Sequence, residues 1–330
     1  MSRSPIIWRA AWFLGLILAP ARLLAESSPA QLLASGHVDD AILTLQHRIT
    51  AAPNDAESQN LLCRAYLALT NWDASIGACQ KAVALNPGNS QYHLWLGRAY
   101  GEKADHSSFL SATGLARKVH TEFETAVRLD PSNVEARADL ADFYVQAPGI
   151  LGGGKDKAAT QAEELTALNP AEADLVRAEI AEKNNDPVTA ERELLAAIQA
   201  SGGKAGKWMN LAQFYRRRNR LDQMQEAIQH AASAPENRHV LLVAAELLIR
   251  TQRDLPAAAQ LLHRYLANEA VEDAPAFKAH YLLGNLLEQQ GDAPGAAQEY
   301  RNALSLARDF TLAQNALKRL DRRADAPNSR

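Results

Sequence analysis

The glycine-rich stretch at residues 148–158, "PGILGGGKDKA", comes close to a nucleotide-binding signature. A glycine is followed, after four residues, by Gly154 and Lys155, as in the P-loop pattern G-x-x-x-x-G-K-[ST], but Asp156 stands where Ser or Thr is needed. A P-loop also follows a strand, whereas the preceding "ADLADFYVQ" has helical spacing. We therefore predict a long turn between two helices. Anion binding by the glycine backbone with Lys155 or Lys157 is the alternative.

No other pattern of reactive residues points to a catalytic or metal site. The nine histidines are scattered, and the sequence contains no H-E-x-x-H, no G-x-S-x-G and no clustered spacing of metal ligands. Two cysteines are too few for a disulfide framework or a structural zinc site. We predict a protein that is not an enzyme and that uses no cofactor or metal. An enzyme with an unrecognised site is the alternative.

The positions of these residues are set by a repeat that runs through most of the chain. Residues 56–89 read "AESQNLLCRAYLALTNWDASIGACQKAVALNPGN", and the same order of Leu, small residue, Tyr, further small residues and Pro recurs. Self-similarity at a fixed period indicates that each period is one supersecondary unit. The units begin near residues 56, 90, 134, 171, 205, 239 and 277, after a truncated unit at about 26–55.

This 34-residue stretch resembles a tetratricopeptide repeat, a hairpin of two antiparallel helices. The places that carry the resemblance hold Leu62, Cys63, Tyr66, Ser75, Ala82 and Pro87. The resemblance implies an all-α fold, a right-handed α-solenoid in which about eight stacked hairpins form residues 26–323. The segment "TLAQNALKRLDRR" (311–323) is expected to be its capping helix, and residues 324–330 a disordered tail.

Gly97 and Gly284 occupy the small-residue site of two first helices. Two helices approach closely only where side chains are small. We therefore expect the backbone of the second helix to come nearest at these two glycines, where a larger side chain would overpack the contact.

The resemblance also implies a groove for a protein or peptide partner, because the peptides of this family lie along the first helices on the concave side. Arg guanidinium groups suit carboxylates there, and Asn or Gln can bond a peptide backbone. Carried over residue by residue, the candidate groove residues are Asn60, Arg64, Arg98, Gln213, Arg216, Arg217, Tyr281 and Asn285. For each of them, a solvated helix face is the alternative. The Lys/Asn set with which chaperone-binding members hold a carboxylate is not reproduced, since Asn60 and Arg64 stand at its places.

Two neighbouring units are longer than 34 residues at the same point of the hairpin. The extra residues lie near 101–114 and 147–154, and such insertions should emerge side by side on one edge of the stack. Extra loops on one face often mark a binding face. We predict a second partner contact on this insertion edge, with an elaboration of no function as the alternative. Its candidate residues are His106, Phe109, Lys155 and Lys157.

Cys63 and Cys79 fall on the two helices of one unit, at inward positions. In an oxidising compartment they could form a disulfide if their Cα atoms come within about 7 Å, although they are about one helical turn out of direct opposition. The alternative is that both are small buried hydrophobic residues.

The first 25 residues have the features of a secretory signal peptide. Arg3 and Arg9 accompany the uncharged run "AAWFLGLILAPA" at 10–21, which is too short to span a bilayer. It fits the apolar region of a signal, with cleavage after Ala21 or Ala25. We expect a periplasmic or secreted protein. An uncleaved segment, which would be the only contact with a membrane, is the alternative.

The charge of the mature chain argues against nucleic acid as a partner. Removing residues 1–25 takes away three arginines and no acidic residue, so the formal charge changes from −3 to −6. Nucleic acids are bound mainly through Lys and Arg. The basic stretch "RRRNR" (216–220) is expected to end a first helix, where positive charge is favourable.

Together these features predict a non-enzymatic scaffold of the cell envelope that binds segments of a protein partner along the groove or on the insertion edge. A structural or assembly factor of a larger envelope complex is the alternative function.

Overall fold

The computed structural model describes residues 27–234, 237–268, 271–272 and 274–325, with side chains as far as residue 322. This part of the chain forms seventeen α-helices and no β-strand. None of these helices combines the length and the apolar composition needed to cross a bilayer. The predicted signal segment, residues 1–25, lies outside the described residues, as do residues 326–330 of the predicted tail.

The helices follow one another with short connections. Their bounds are Pro29–Ala34 (α1), Val38–Ala51 (α2), Ala56–Ala68 (α3), Trp72–Leu85 (α4), Ser90–Asp105 (α5), Phe109–Leu129 (α6), Val134–Gln146 (α7), Lys155–Leu168 (α8), Pro170–Lys183 (α9), Pro187–Ala200 (α10), Ala205–Arg217 (α11), Leu221–Ser233 (α12), Arg238–Arg250 (α13), Leu255–Leu266 (α14), Ala276–Gln289 (α15), Ala293–Leu306 (α16) and Thr311–Asp325 (α17). Consecutive helices pack as eight pairs, from α1–α2 to α15–α16, and α17 packs on the last pair. The architecture is an all-α solenoid.

The repeat in the sequence is also a repeat of helix caps and turns. Eight helices begin at an Asn or Asp whose side chain accepts a hydrogen bond from a backbone N–H of the first turn, which satisfies a donor that the helix leaves free. These caps are Asp55, Asn71, Asn89, Asn133, Asn169, Asp186, Asp254 and Asp292. In most pairs, one residue with left-handed backbone joins the first helix to the second; these are Gly36, Thr70, Asn185, Asn219, Gln252 and Gly291.

Gly97 and Gly284 each lie against an aromatic ring of the second helix. A Cβ added at Gly97 would lie 2.4 Å from the ring of Phe123, and one added at Gly284 would lie 2.5 Å from the ring of Tyr300. The expected close approach is therefore present. Its partner is a side chain rather than backbone, because the missing Cβ makes room for a ring that reaches across the hairpin.

We expect Gly97→Ala to destabilise the protein by about 1–3 kcal/mol, because the added methyl must displace the Phe123 ring from a packed site. Gly77→Ala is the matched control, since Gly77 lies inside helix α4 with open space around it. That change should stabilise the protein by up to about 1 kcal/mol through helix propensity. Urea unfolding of the two variants measures both effects. Equal stabilities would contradict the packing argument.

The residues inserted near 101–114 do not form the projecting loop that the sequence predicts. They lengthen both helices of their hairpin: α5 continues to Asp105, and the 21-residue α6 begins at Phe109. Within a helix, the added backbone groups bond to one another, which a loop would leave to solvent. Phe109 and Leu110 are consequently displayed at the start of this longer helix, each 84% exposed.

The second insertion does form the predicted turn. A short 3-10 segment, Gly149–Leu151, follows α7, and α8 begins at Lys155. The backbone N–H of Gly154 donates to the carbonyl of Tyr144 over 2.9 Å. At Gly153, an added Cβ would lie 1.8 Å from the Ala147 carbonyl oxygen. The glycines thus allow the chain to fold back onto its own helix, and the segment before them is a helix rather than the strand of a P-loop.

The two ends of the array meet. The repeat does not predict this, because it specifies contacts only between neighbouring units. The backbone N–H of Arg308 donates to Asp39 Oδ2 over 2.8 Å, and a Cβ added at Gly36 would lie 3.1 Å from the nitrogen of Ala276. One apolar cluster includes side chains from both ends of the chain, namely Leu33, Val38 and Leu45 together with Phe277, Ala303, Ala307 and Phe310. The last helix pair and the turn before α17 therefore cover apolar surface of the first pair.

Candidate functional site

The first helices of the units line the inner side of the array. Successive first helices, such as α5 and α7 or α7 and α9, contact one another more closely than successive second helices do. The surface formed by the first helices is therefore the concave one, and we call it the groove. One position of the repeat, the residue after the small-residue site of a first helix, recurs along the groove; we call such equivalent positions in different units frame positions. This one is held by Arg64, Arg98, Asp142, Glu179, Gln213 and Asn285, at steps of 34, 44, 37, 34 and 72 residues.

Asp142 and Glu179 are groove residues that the sequence-based selection missed. They stand at the same frame position as Arg98, one and two units further along the chain. The spacing alone could have identified them. They change the character of the groove, because the middle of this row is acidic where its start is basic.

The arginines at the start of the groove already bind carboxylates of this chain. Arg64 donates to both oxygens of Glu272, over 2.7 and 2.5 Å, although the two residues are 208 positions apart. Arg98 donates to Asp139 over 2.6 Å and to Glu135 over 3.0 Å. The predicted role of these two guanidinium groups, binding a partner's carboxylate, would therefore require an internal ion pair to open.

Trp95 lies between these two arginines. The guanidinium carbon of Arg64 is 4.7 Å from the centre of the indole ring, and that of Arg98 is 4.9 Å from it. Such cation–π contacts fix the position of both side chains. At the basic end of the groove, the two arginines are thus held by contacts with Trp95 and with carboxylates of this chain.

The basic stretch 216–220 ends helix α11, as expected, and most of its charge is paired. Arg217 donates to Glu182 of the preceding unit, with the shorter contact at 2.5 Å. Arg220 binds Glu191 over 2.5 and 3.0 Å. Arg216 has no ion-pair partner among the residues that the structure describes. The stretch serves mainly to join neighbouring units.

The remaining candidate groove residues differ in how accessible they are. Asn60 is only 5% exposed, because neighbouring side chains cover that flank of α3. Tyr281 packs against the rings of Tyr300 and Phe310, at centroid distances of 5.9 and 5.5 Å. Asn285 accepts a 2.8 Å hydrogen bond from the Tyr300 hydroxyl. Gln213, in contrast, makes no side-chain hydrogen bond within the described part of the chain.

The candidate residues of the insertion edge fall into two groups. His106 stacks on Trp72, with ring centres 4.4 Å apart, while Phe109 points into solvent. Lys155 donates to the side chain of Asn184, and Lys157 donates to the Gly152 carbonyl over 2.9 Å. The two lysines therefore hold the glycine turn in place, and the exposed apolar surface of this edge comes from Phe109, Leu110 and Ile150.

Cys63 and Cys79 are joined by a disulfide in the structure, with a Cα–Cα distance of 5.1 Å. Both residues are fully buried, and the bond links α3 to α4. The two cysteines stand at the frame positions that Gly97 and Phe123 occupy in the next unit. In this unit a covalent bond thus replaces the packing of a ring on a glycine.

The acidic middle of the groove is incompletely neutralised. Asp142 is exposed at the surface of the groove and accepts one hydrogen bond, from the Gln146 amide over 3.3 Å. Desolvation by the surrounding groove walls raises the pKa of its carboxyl group. Burial also raises the pKa of Glu179 to about 8, with a further contribution from the charge of Asp142. Among the described residues, no group of three or more His, Cys, Asp or Glu side chains is placed to hold a metal ion.

We expect Glu179→Gln to stabilise the protein at pH 8 by more than about 1 kcal/mol, and not at pH 4.5. A carboxyl whose pKa is higher in the folded protein than the unfolded value of 4.5 favours folding at low pH, and that contribution is lost as the pH rises towards about 8. The facing charges are those of Asp142, Glu172, Glu182 and Arg217. Urea unfolding at both pH values measures the difference.

The matched control is Glu163→Gln, at an exposed position on the outer helix α8. Its effect on stability should be small at both pH values. If Glu179→Gln gave the same change in unfolding free energy at pH 4.5 and pH 8, the burial of this carboxyl group would not be the cause.

The comparisons with known proteins agree with the helix pairs. A family model described as "Tetratricopeptide repeat" matches residues 31–90, 60–107 and 250–309. No curated protein gives a significant sequence match. Among solved structures, yeast Tom70 is similar with a TM-score of 0.53 and 15% identity, over 88% of this chain and 60% of that chain.

Two bacterial structures are also similar. The thermophilic TPR protein TTC0263 of Thermus thermophilus matches with a TM-score of 0.47 and 20% identity, over 56% of this chain and 94% of its own. A tetratricopeptide repeat protein of Parabacteroides merdae matches with a TM-score of 0.42 and 14% identity, over 86% of this chain and 92% of its own. At these identities a structural likeness concerns the fold alone, and the family assignment rests on the matched repeats. Together with the recurring helix pairs, these matches show that residues 31–107 and 250–309 consist of tetratricopeptide repeats.

Proposed function

We propose that the protein is a non-catalytic scaffold of the cell envelope that binds a segment of a partner protein along the groove. Tetratricopeptide repeat proteins are in general scaffolds, and the fold is consistent with a protein-binding role. The observation that carries the proposal is the groove itself, an inner surface formed by the first helices of the units. Repeat arrays of this kind use such concave surfaces for binding.

The envelope location is supported by two features of the chain. The first 25 residues read as a signal peptide. The Cys63–Cys79 disulfide is of a kind that persists in oxidising compartments and is rare in the cytosol. Fractionation of cells followed by N-terminal sequencing tests the location. A mature protein that begins after Ala21 or Ala25 supports it, and an intact N-terminus in the cytosolic fraction contradicts it.

Photo-crosslinking in the native compartment tests the groove. A benzophenone amino acid is placed at Gln213 in the groove, and separately at Lys81 on the exposed face of helix α4. We expect Gln213 to give a defined crosslinked partner and Lys81 to give none. Gln213 is suitable because its side chain has no hydrogen bond to lose within the described part of the chain. Equal crosslinking from both positions would contradict a groove partner.

The second candidate function, an assembly factor that joins a larger complex through its edge, is favoured by one observation. Phe109, Leu110 and Ile150 are each 84% exposed on the lengthened hairpin and the adjoining turn, and exposed apolar patches often mark protein interfaces. A third crosslinking site at Phe109 distinguishes the two functions. A stoichiometric partner captured at Phe109 and absent at Gln213 would favour assembly through the edge.

A further inference from the structure

A cavity of about 490 Å³ opens in the groove between α5, α6 and α7. Apolar side chains form much of its wall, with Val119 and Phe123 from α6 and Phe143 from α7. Four carboxylates also line it, Glu102, Asp105, Asp139 and Asp142. A cavity of this size lies within the range of sites that hold small ligands, and it is large enough to receive a side chain of a bound segment.

A second cavity, of about 370 Å³, continues the first along the groove. The two share Asp142 and Gln146, and the second extends past Glu179 towards Arg217. Its walls come from α7, α9 and α11, which are the first helices of three successive units. The two cavities therefore follow the path that an extended segment would take along the groove.

The charges that line these two cavities do not balance. Six carboxylates face three cations, and each cation is already bound: Arg98 to Asp139, Arg217 to Glu182, and the Lys183 ammonium to the Gln146 carbonyl. Of the other carboxylates, Glu102 lies near Lys278 of α15. Asp105, Asp142 and Glu179 have no ion-pair partner among the described residues.

The uncompensated carboxylates carry an energetic cost in the free protein. Glu179 is only partly exposed, and desolvation raises the pKa of its carboxyl group, which means that its charged form is disfavoured in this environment. Desolvation raises the pKa of Asp142 as well, although this residue is exposed at the surface of the groove and the charge of Lys183 opposes the rise. A cation placed between them would favour the charged forms and form charge-assisted hydrogen bonds. An acidic segment would meet the opposite condition at this place, because it would set a further negative charge against Asp142 and Glu179, and the two guanidinium groups that line the cavities are bound to Asp139 and Glu182.

We propose that the segment bound in the groove presents a Lys or Arg side chain to Asp142 and Glu179, and an adjacent apolar side chain to the cavity walled by Val119, Phe123 and Phe143. This assignment rests on the proposed function and adds the chemical class of its partner. A basic side chain suits this place because its aliphatic stem packs on apolar walls while its charged end remains at the carboxylates.

Affinity selection from a synthetic library of random octapeptides tests the partner class. The library is passed over the immobilised full-length protein at low salt, and the retained peptides are sequenced. We expect enrichment of Lys or Arg next to an apolar residue. The double variant Asp142→Asn/Glu179→Gln should retain these peptides about tenfold less or weaker still, because it leaves their cation unpaired. Added salt should weaken binding to the wild type.

The matched control is Asp156→Asn/Glu163→Gln, which removes two exposed carboxylates from the outer helix α8 of the same hairpin as Asp142. It should bind the retained peptides as the wild type does. An equal loss in the control double variant would reduce the effect to net charge and overturn the assignment. Circular dichroism of both double variants excludes misfolding as the cause of a loss.

The remaining outcomes separate this inference from the proposed function. Enrichment of acidic or purely apolar peptides, or full retention by the groove double variant, overturns the inference of a basic partner. If a crosslink at Gln213 is nevertheless found, the groove remains the binding surface. Retention of no peptide counts against the basic partner as well. Absence of a crosslink at Gln213 in the native compartment overturns the proposed function itself.

Discussion

Reduction of the Cys63–Cys79 disulfide will lower the unfolding free energy of the protein by about 3 kcal/mol. The bond closes a loop with a sequence separation of 16 residues, and a crosslink over a loop of this length restricts the unfolded chain by about that amount. The measurement is urea unfolding of the wild type with and without dithiothreitol, with the number of free thiols determined by mass spectrometry.

The double variant Cys63→Ala/Cys79→Ala is the control. It should unfold at the lower denaturant concentration of the reduced wild type and should not respond to dithiothreitol. Alanine at position 63 introduces no clash, because Ala212 holds the equivalent frame position in another unit. If complete reduction of the wild type left its unfolding midpoint unchanged, the bond would contribute nothing to stability, and its value as support for an oxidising compartment would fall with it.

The disulfide could have been predicted from the repeat frame. Cys63 lies 34 residues before Gly97, which is the step between the unit starts near 56 and 90. Cys79 lies 44 residues before Phe123, because the insertion near 101–114 adds ten residues ahead of Phe123 in the later unit. Gly97 and Phe123 touch in the structure. Comparison of equivalent positions therefore places the two cysteines in contact, whereas an estimate from ideal helix geometry puts them one turn apart.

The same frame explains how much of the groove was predictable. It identifies the helix pairs, the small residues within them and the row that contains Arg64 and Arg98. Asp142 and Glu179 are absent from the predicted set because that set is chosen for Arg, which suits carboxylates, and for Asn or Gln, which can bond a peptide backbone, and it leaves out the acidic residues of the row. Reading the row in order shows a basic start and an acidic middle before any coordinates are known.

The ion pair between Arg64 and Glu272 could not be read from the repeat. A repeat frame specifies contacts between neighbouring units, while Arg64 and Glu272 are separated by 208 residues. Their meeting depends on the curvature accumulated over the whole array and on the course of the chain after α14. For the same reason, the state of the groove arginines, which decides between an acidic and a basic partner, required the structure.

The closure of the array has the largest expected effect on stability. Phe310 is 1% exposed, its ring centre lies 4.9 Å from that of Phe277, and it belongs to the apolar cluster that contains the first helix pair. We expect Phe310→Ala to destabilise the protein by about 3–5 kcal/mol, the usual cost of removing a buried phenylalanine ring. Because the contact joins the two ends, amide hydrogen exchange should become faster in α1 and α2, although both helices are remote from position 310 in the sequence.

Phe214→Ala provides the matched comparison. Phe214 is fully buried in α11, in the separate apolar cluster of the middle units, so the cost in unfolding free energy should be similar. In an open repeat array each unit depends only on its neighbours. A defect in α11 should therefore leave amide exchange in α1 and α2 unchanged, whether the array is open or its two ends support each other. Faster exchange there in Phe310→Ala alone would show that the ends support each other. Unchanged exchange in both variants would mean that the first pair does not depend on the last.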